Sequence, residues 1–182
     1  MNWIIPGTTL EGQRENADRT EELFKSMFLA GGLSLSQVAS VTGLETHTIQ
    51  NWVKRGFLSP PRGKRYDMEQ VCRIINMNLL KGALPLEQIC SLMTYLNGCL
   101  SDESDDLIDD TMLYFMFVKL ASRARYIGGD ENWDDALQDA TADYTEPVPG
   151  AREKLTKVLK IMLTVWVSNT LRIAAEKMID EL

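Results

Sequence analysis

The sequence predicts a mainly all-α fold, a winged helix-turn-helix followed by a C-terminal helical bundle. Three observations carry this reading. Apolar residues recur at spacings of three and four through most of the 182 residues. Glycine or proline punctuates the periodic stretches at Gly31-Gly32, Gly43, Gly56, Pro60-Pro61, Gly82 and Gly98. Charge is unevenly spread. Residues 34–81 hold seven basic side chains (Lys54, Arg55, Arg62, Lys64, Arg65, Arg73, Lys81) and three acidic ones (Glu45, Asp67, Glu69), although the whole chain is −7. That segment is +4 and the remainder −11, which suggests parts with different tasks. Three regions are expected: an N-terminal arm with a short helix at 1–33, the winged helix-turn-helix at 34–98, and an acidic helical region at 99–182.

Residues 1–17 show no periodicity and read as an irregular arm. A helix is expected from Asp18 to Ala30, with Leu23, Phe24, Met27 and Phe28 on one face. Gly31-Gly32 stops it. Ser34 with Gln37 forms a capping-box pattern. It opens a helix whose inward residues are Leu35, Val38, Ala39 and Val41. After the Thr42-Gly43-Leu44 turn, Thr46–Lys54 forms a second helix with Ile49, Trp52 and Val53 inward. Pro60-Pro61 forbids helix, and Gly63 permits a reversal, so SPPRGKRYD reads as a small loop or wing. Asp67 and Gln70 cap a helix to Lys81, with a stripe of Met68, Val71, Ile74, Ile75 and Leu79. Leu86–Leu96 is a further helix. Residues 101–146 hold 13 acidic and 3 basic residues. Within them, a nearly all-apolar helix is expected over Leu107–Tyr126, ended by Gly128-Gly129, and a short one over Asp134–Asp143. TEPVPG then leads into a helix from Arg152 to Leu182, with Leu155, Leu159, Met162, Trp166 and Ile173 on a stripe widened by Val158, Val165 and Leu171.

Composition narrows the function classes. The chain is 45% apolar and 25% charged, as in an ordinary globular protein. No uninterrupted apolar run reaches the roughly 18 residues of a membrane span, and the first residues lack the pattern of a signal peptide. A cytoplasmic location without a membrane is therefore expected. Cys72, Cys90 and Cys99 form no CxxC and read as small apolar residues. The single histidine, His47, leaves little room for a His-based metal site or a nucleophile–base pair. No enzyme and no cofactor are expected. Asp130, Asn132 and Asp134 begin like a calcium loop, but Asp135 stands where glycine is needed and Thr141 where glutamate is needed.

Positive charge on an acidic chain points to phosphate. Reading bases requires a helix with polar side chains near its N-terminal end. Thr46, His47, Thr48, Gln50 and Asn51 meet that need, and Lys54, Arg55, Arg62, Lys64 and Arg65 follow closely. Trp52 is assigned to the core by its spacing from Ile49.

The stretch LSLSQVASVTGLETHTIQNWVKRGFLSPPR resembles the opening helix-turn-helix of the MerR family of bacterial transcription regulators. KRYDMEQVCRIINMNLLKGALPLEQICSLM resembles that family's wing end and following helix pair. The likeness covers about residues 34–93. The whole chain also looks like uncharacterised bacterial proteins that join such a domain to a helical C-terminal region. The resemblance implies phosphate contacts from Arg62 and Tyr66, and a DNA-facing helix at Thr48, Gln50 and Asn51. Gln50 replaces the family's usual arginine, Asn51-Trp52 its tyrosine pair, and Glu45 its serine.

The expected function is thus a sequence-specific transcription regulator on double-stranded DNA. A homodimer is expected, formed through Leu107–Tyr126 or Arg152–Leu182. The apolar MLYFMFV segment leaves room for a small-molecule or protein effector on the C-terminal region, although core or dimer packing weighs more. The alternative is a protein-interaction module on a retained winged-helix scaffold, favoured by Glu45 and the net acidity.

Overall fold

The computed structural model describes residues 3–98, 105–124 and 133–182. Cys99, Gly128-Gly129, Asp130 and Asn132 lie outside the described residues. The protein is mainly α, with eight α-helices and two small antiparallel strand pairs among the described residues. The first pair joins β1 (Trp3–Ile4) to β2 (Glu11–Gly12); a 3-10 helix (Arg14–Arg19) and α1 (Thr20–Met27) follow. Next come β3 (Leu33–Ser34), α2 (Leu35–Thr42), α3 (Thr46–Lys54) and β4 (Arg65–Tyr66), which pairs back to β3. The remaining helices are α4 (Met68–Leu80), α5 (Leu86–Asn97), α6 (Asp110–Arg123), α7 (Trp133–Ala140) and α8 (Ala151–Asp180).

Local signals set most boundaries. Ser34 accepts from the Gln37 amide while the Gln37 side chain accepts from the Ser34 amide at 2.9 Å. Asp67 and Gln70 make the same reciprocal pair at the start of α4, at 2.9 and 3.1 Å. These bonds satisfy amides that a helix start leaves without partners. Gly43, at φ +69°, ends α2 in the left-handed conformation.

α4 is the central element. Val71, Cys72, Ile74, Ile75, Met77, Leu79 and Leu80 are all buried. The expected single stripe is too narrow, because α2, α6 and α8 enclose the helix from several sides. Arg73 lies on α4 as well. Its guanidinium donates to an Asp110 carboxylate oxygen at 2.9 Å and to the Phe57 carbonyl at 3.1 Å. Asn76 donates to the Asp110 carbonyl at 3.1 Å. One polar cluster thus ties α4 to α6 and to the segment leaving α3. The expected boundary near residue 98 falls between helices that share one apolar core.

The N-terminal arm departs from its expectation. It is folded, not irregular. Ile5 is buried, Thr9 donates its amide to Val41 at 2.8 Å, and Asn78 donates to Gly7 and Thr42 carbonyls at 3.0 and 2.8 Å. Gly7 is at φ +74°, and a Cβ there would lie 2.7 Å from Ile75, so only glycine fits. Arg14 donates to the Ser122, Ala121 and Ala124 carbonyls at 2.7, 3.2 and 2.8 Å. It closes the C-terminal end of α6, whose last carbonyls lack helical partners.

α6 spans Asp110–Arg123 and starts later than the expected Leu107, because Asp109 caps it by accepting from the Met112 amide at 2.7 Å; the expected end at Tyr126 lies outside the described residues. Leu155, Val158, Leu159, Met162, Leu163 and Val165 seat the first half of α8 in the core. Leu171 and Ile173 do not join the stripe as expected; they are exposed. α8 is long and apolar enough to cross a membrane by length and composition alone, with a mean hydropathy of 1.3 over its best 18 residues and 33% of that window buried. Charged residues interrupt its apolar runs, so a count of consecutive apolar residues misses it.

Truncation of Asp110 leaves Arg73 buried without a counter-charge. Asp110→Ala is expected to cost about 3–5 kcal/mol in urea unfolding. Burial raises the Asp110 carboxyl above the ordinary aspartate value, against the opposing pull of Arg73. The folded protein therefore holds that proton more tightly than the unfolded chain. This group's stabilising contribution is present at low pH and declines as pH rises through the raised folded value. Unfolding free energies of the wild type and Asp110→Asn across pH 4 to 7 should diverge with that sign, the wild type losing ground as pH rises.

Candidate nucleic-acid interface

α3 is held by its inner face. Ile49 is fully buried and Trp52 is 4% exposed, so Trp52 is core as expected. This fixes the rotation of the helix and turns Thr46, His47, Gln50, Asn51 and Lys54 outward, all exposed, with Thr48 half-buried. Glu45 precedes the helix, is itself exposed, and makes no side-chain cap.

The cationic loop is a tight hairpin. The Arg65 amide donates to the Arg62 carbonyl at 3.0 Å across Gly63 and Lys64. Gly63 is at φ +55° and Lys64 at φ +63°. Positive φ at both central residues suits the right-handed twist of a two-residue hairpin. The side chains of Arg62 and Lys64 stand exposed at the tip. Gln70 braces the approach, donating to the Ser59 and Pro60 carbonyls at 3.1 and 3.0 Å. An open hollow of about 410 Å³ separates hairpin from helix, lined by Leu35, Gln50, Val53, Pro61, Lys64 and Tyr66. Gln50 on α3 and Lys64 on the hairpin therefore border one surface feature.

Three of the expected residues have other attachments. Arg55 pairs with Glu87 at 3.1 Å and lies 4.7 Å over the Phe57 ring, so part of its charge is already countered. Arg65 donates to the Gly32 carbonyl at 2.8 Å and ties the hairpin to the chain before β3. Tyr66 is 3% exposed, packed within the β3–β4 pair, and burial raises its hydroxyl pKa. The outward set is Thr46, His47, Gln50, Asn51, Lys54, Arg62 and Lys64, with Thr48 at its edge. Among the described residues, none of Lys54, Arg62 and Lys64 makes an ion pair with a described side chain.

Sequence reasoning missed the braces, Gln70 and Arg73. Gln70 was legible only as a capping residue, and nothing local marks a long-range partner for Arg73. Cys72 is buried and its thiol pKa is raised by that burial, whereas Cys90 is half-buried. Among the described residues no group of three or more His, Cys, Asp or Glu side chains could hold a metal ion.

Lys64 holds a conformation that side chains rarely adopt. Lys64→Gly is expected to stabilise the fold by about 0.5 kcal/mol, seen as a raised thermal midpoint.

Comparison with known proteins corrects the MerR resemblance. The family model that matches, over residues 28–117, is described as a domain of unknown function, DUF1836, and no MerR or helix-turn-helix family supports the likeness. The two stretches behind the likeness fold as a short helix pair, a hairpin and a second helix pair, an arrangement that does not of itself name a family. At Glu45, Gln50 and Asn51, where the chemistry would be specific, the chain departs from MerR. The match runs from the end of α1 into α6 and so includes the Arg73–Asp110 contact. No solved structure matches the chain. The chain is 31% identical over 86 residues to the uncharacterized protein YkrK of Bacillus subtilis (strain 168), a likeness that covers 45% of this chain and 37% of that protein.

Proposed function

We propose that the protein is a sequence-specific DNA-binding transcription regulator. In this reading α2 and α3 act as a helix-turn-helix, and the Arg62–Arg65 hairpin acts as its wing. The observation that carries it is the surface formed by α3 and the hairpin. A row of hydrogen-bonding side chains stands exposed beside cations without described ion-pair partners, on an otherwise acidic chain. Thr46, His47, Gln50 and Asn51 offer donors and acceptors to base edges in a major groove. Lys54, Arg62 and Lys64 meet the flanking phosphates, and each neutralised phosphate releases counterions. The acidity of the remaining surface keeps DNA to this face. The protein acts as a homodimer, which sets two such faces on neighbouring half-sites, and its location is cytoplasmic.

The second reading, a protein-interaction module on the same scaffold, draws on one observation. Glu45 is exposed at the N-terminal end of α3, where a phosphate would approach.

Selection from a genomic fragment pool at low and moderate salt, followed by titration of an enriched site, tests the proposal. Arg62→Ala with Lys64→Ala should weaken binding to all sequences and reduce the salt slope by about 2. Gln50→Ala or Asn51→Ala should instead cost about 1–3 kcal/mol at particular base pairs and relax preference there. Enrichment of no site by the folded protein would overturn the DNA reading in favour of the interaction module.

A further inference from the structure

α8 leaves the body of the protein after Asn169, whose side-chain amide donates to the Leu79 carbonyl at 3.3 Å. Every residue from 171 to 182 is exposed, yet the helix continues to Asp180. The projecting segment is strongly two-faced. At about 100° per residue, Leu171, Ala174, Ala175, Met178, Ile179 and Leu182 fall on one arc about 140° wide. Arg172, Ile173, Glu176, Lys177, Asp180 and Glu181 occupy the rest. On the apolar arc Leu171 is 55% exposed, Met178 69% and Ile179 66%. A contiguous apolar surface of this kind marks an interface.

We propose that residues 171–182 pair with the same segment of a second copy of this chain, antiparallel, with the two-fold axis between Glu176 and Lys177. The argument is self-complementarity. That axis sets Leu171 level with Leu182 of the second copy, Ala174 with Ile179, and Ala175 with Met178. The inner layers oppose a small side chain to a large one, and no polar residue enters the stripe. A parallel pair would instead set Met178 against Met178 and Ala175 against Ala175. One turn before Leu171 the same arc holds the buried Val167 beside the exposed Ser168, so the stripe passes from the body of the protein into the projecting segment. A lipid surface fits less well, since the polar face carries two cations and three anions and not the lysine- and arginine-rich face of interfacial helices. An isologous contact of this kind closes at two copies.

The inference names the surface for the homodimer of the proposed function. It is read without DNA, so its failure and the failure of DNA binding are separate results. Sedimentation equilibrium of the full chain at micromolar concentration should give a dimer mass. Met178→Glu, at a solvent-exposed position, should keep the helical circular dichroism and raise the dimer dissociation constant about 100-fold. Met178→Ala should weaken the dimer about tenfold, and adding Ala175→Met should restore it, because the exchange keeps small opposite large only in the antiparallel register. A monomer at all concentrations overturns the proposal, whether or not that monomer partitions into lipid vesicles. So does a dimer indifferent to Met178→Glu. Failure of the exchange to restore pairing overturns the register.

Discussion

The buried contact between Arg73 and Asp110 is the constraint on which the rest of the arrangement depends. Two charges with side chains 14% and 7% exposed are stable in the interior only if geometry and further hydrogen bonds compensate for lost water. That requirement fixes α4 against α6 to within a hydrogen bond. Because the same guanidinium also reaches the Phe57 carbonyl, it fixes where the chain emerges from α3. The position of the hairpin relative to α3 follows, braced by Gln70 on the same helix. The proposed DNA-reading surface is thus organised from behind, by polar groups that face away from it. Apolar packing could not supply this alone, since it tolerates small slides that a paired charge does not.

The separation of binding face and acidic bulk has an electrostatic logic. Arg55 is turned toward Glu87 and Arg65 toward a backbone carbonyl, so some of the positive charge stiffens the scaffold. Lys54, Arg62 and Lys64 stay outward. The +4 of the segment overstates what a phosphate backbone would meet, and Glu45 reduces it further.

Local structure was legible wherever one residue satisfied its near neighbour. The capping boxes at Ser34 and Asp67, the Gly43 turn, the hairpin at Gly63 and the inward Ile49 and Trp52 all depend on spacings within a few residues, and each was found. The failures share a different cause. The arm at residues 3–17 is held by Val41, Asn78 and Ala121–Ala124, partners far along the chain, and two-residue strands leave no periodic trace. Arg73 counted as one more cation because nothing near it in sequence announces Asp110. Leu171 and Ile173 continue the spacing of α8 past the point where the body ends, and periodicity alone cannot say where a core stops. Gln50 and Asn51 stand outward, but the likeness drawn from the stretch around them named a family that the comparisons do not support.

The attachment of the N-terminal arm has a consequence for the order in which the protein is made. Tyr114 donates to the Pro6 carbonyl, and Arg14 reaches the end of α6, partners 107 to 110 residues apart. While the chain is being synthesised, residues 3–17 can meet Val41 and Asn78 early, but their contacts with Tyr114 and Ala121–Ala124 wait until α6 has followed. Until then the arm is only partly held. Full seating of the arm is therefore a late event, which waits for α6.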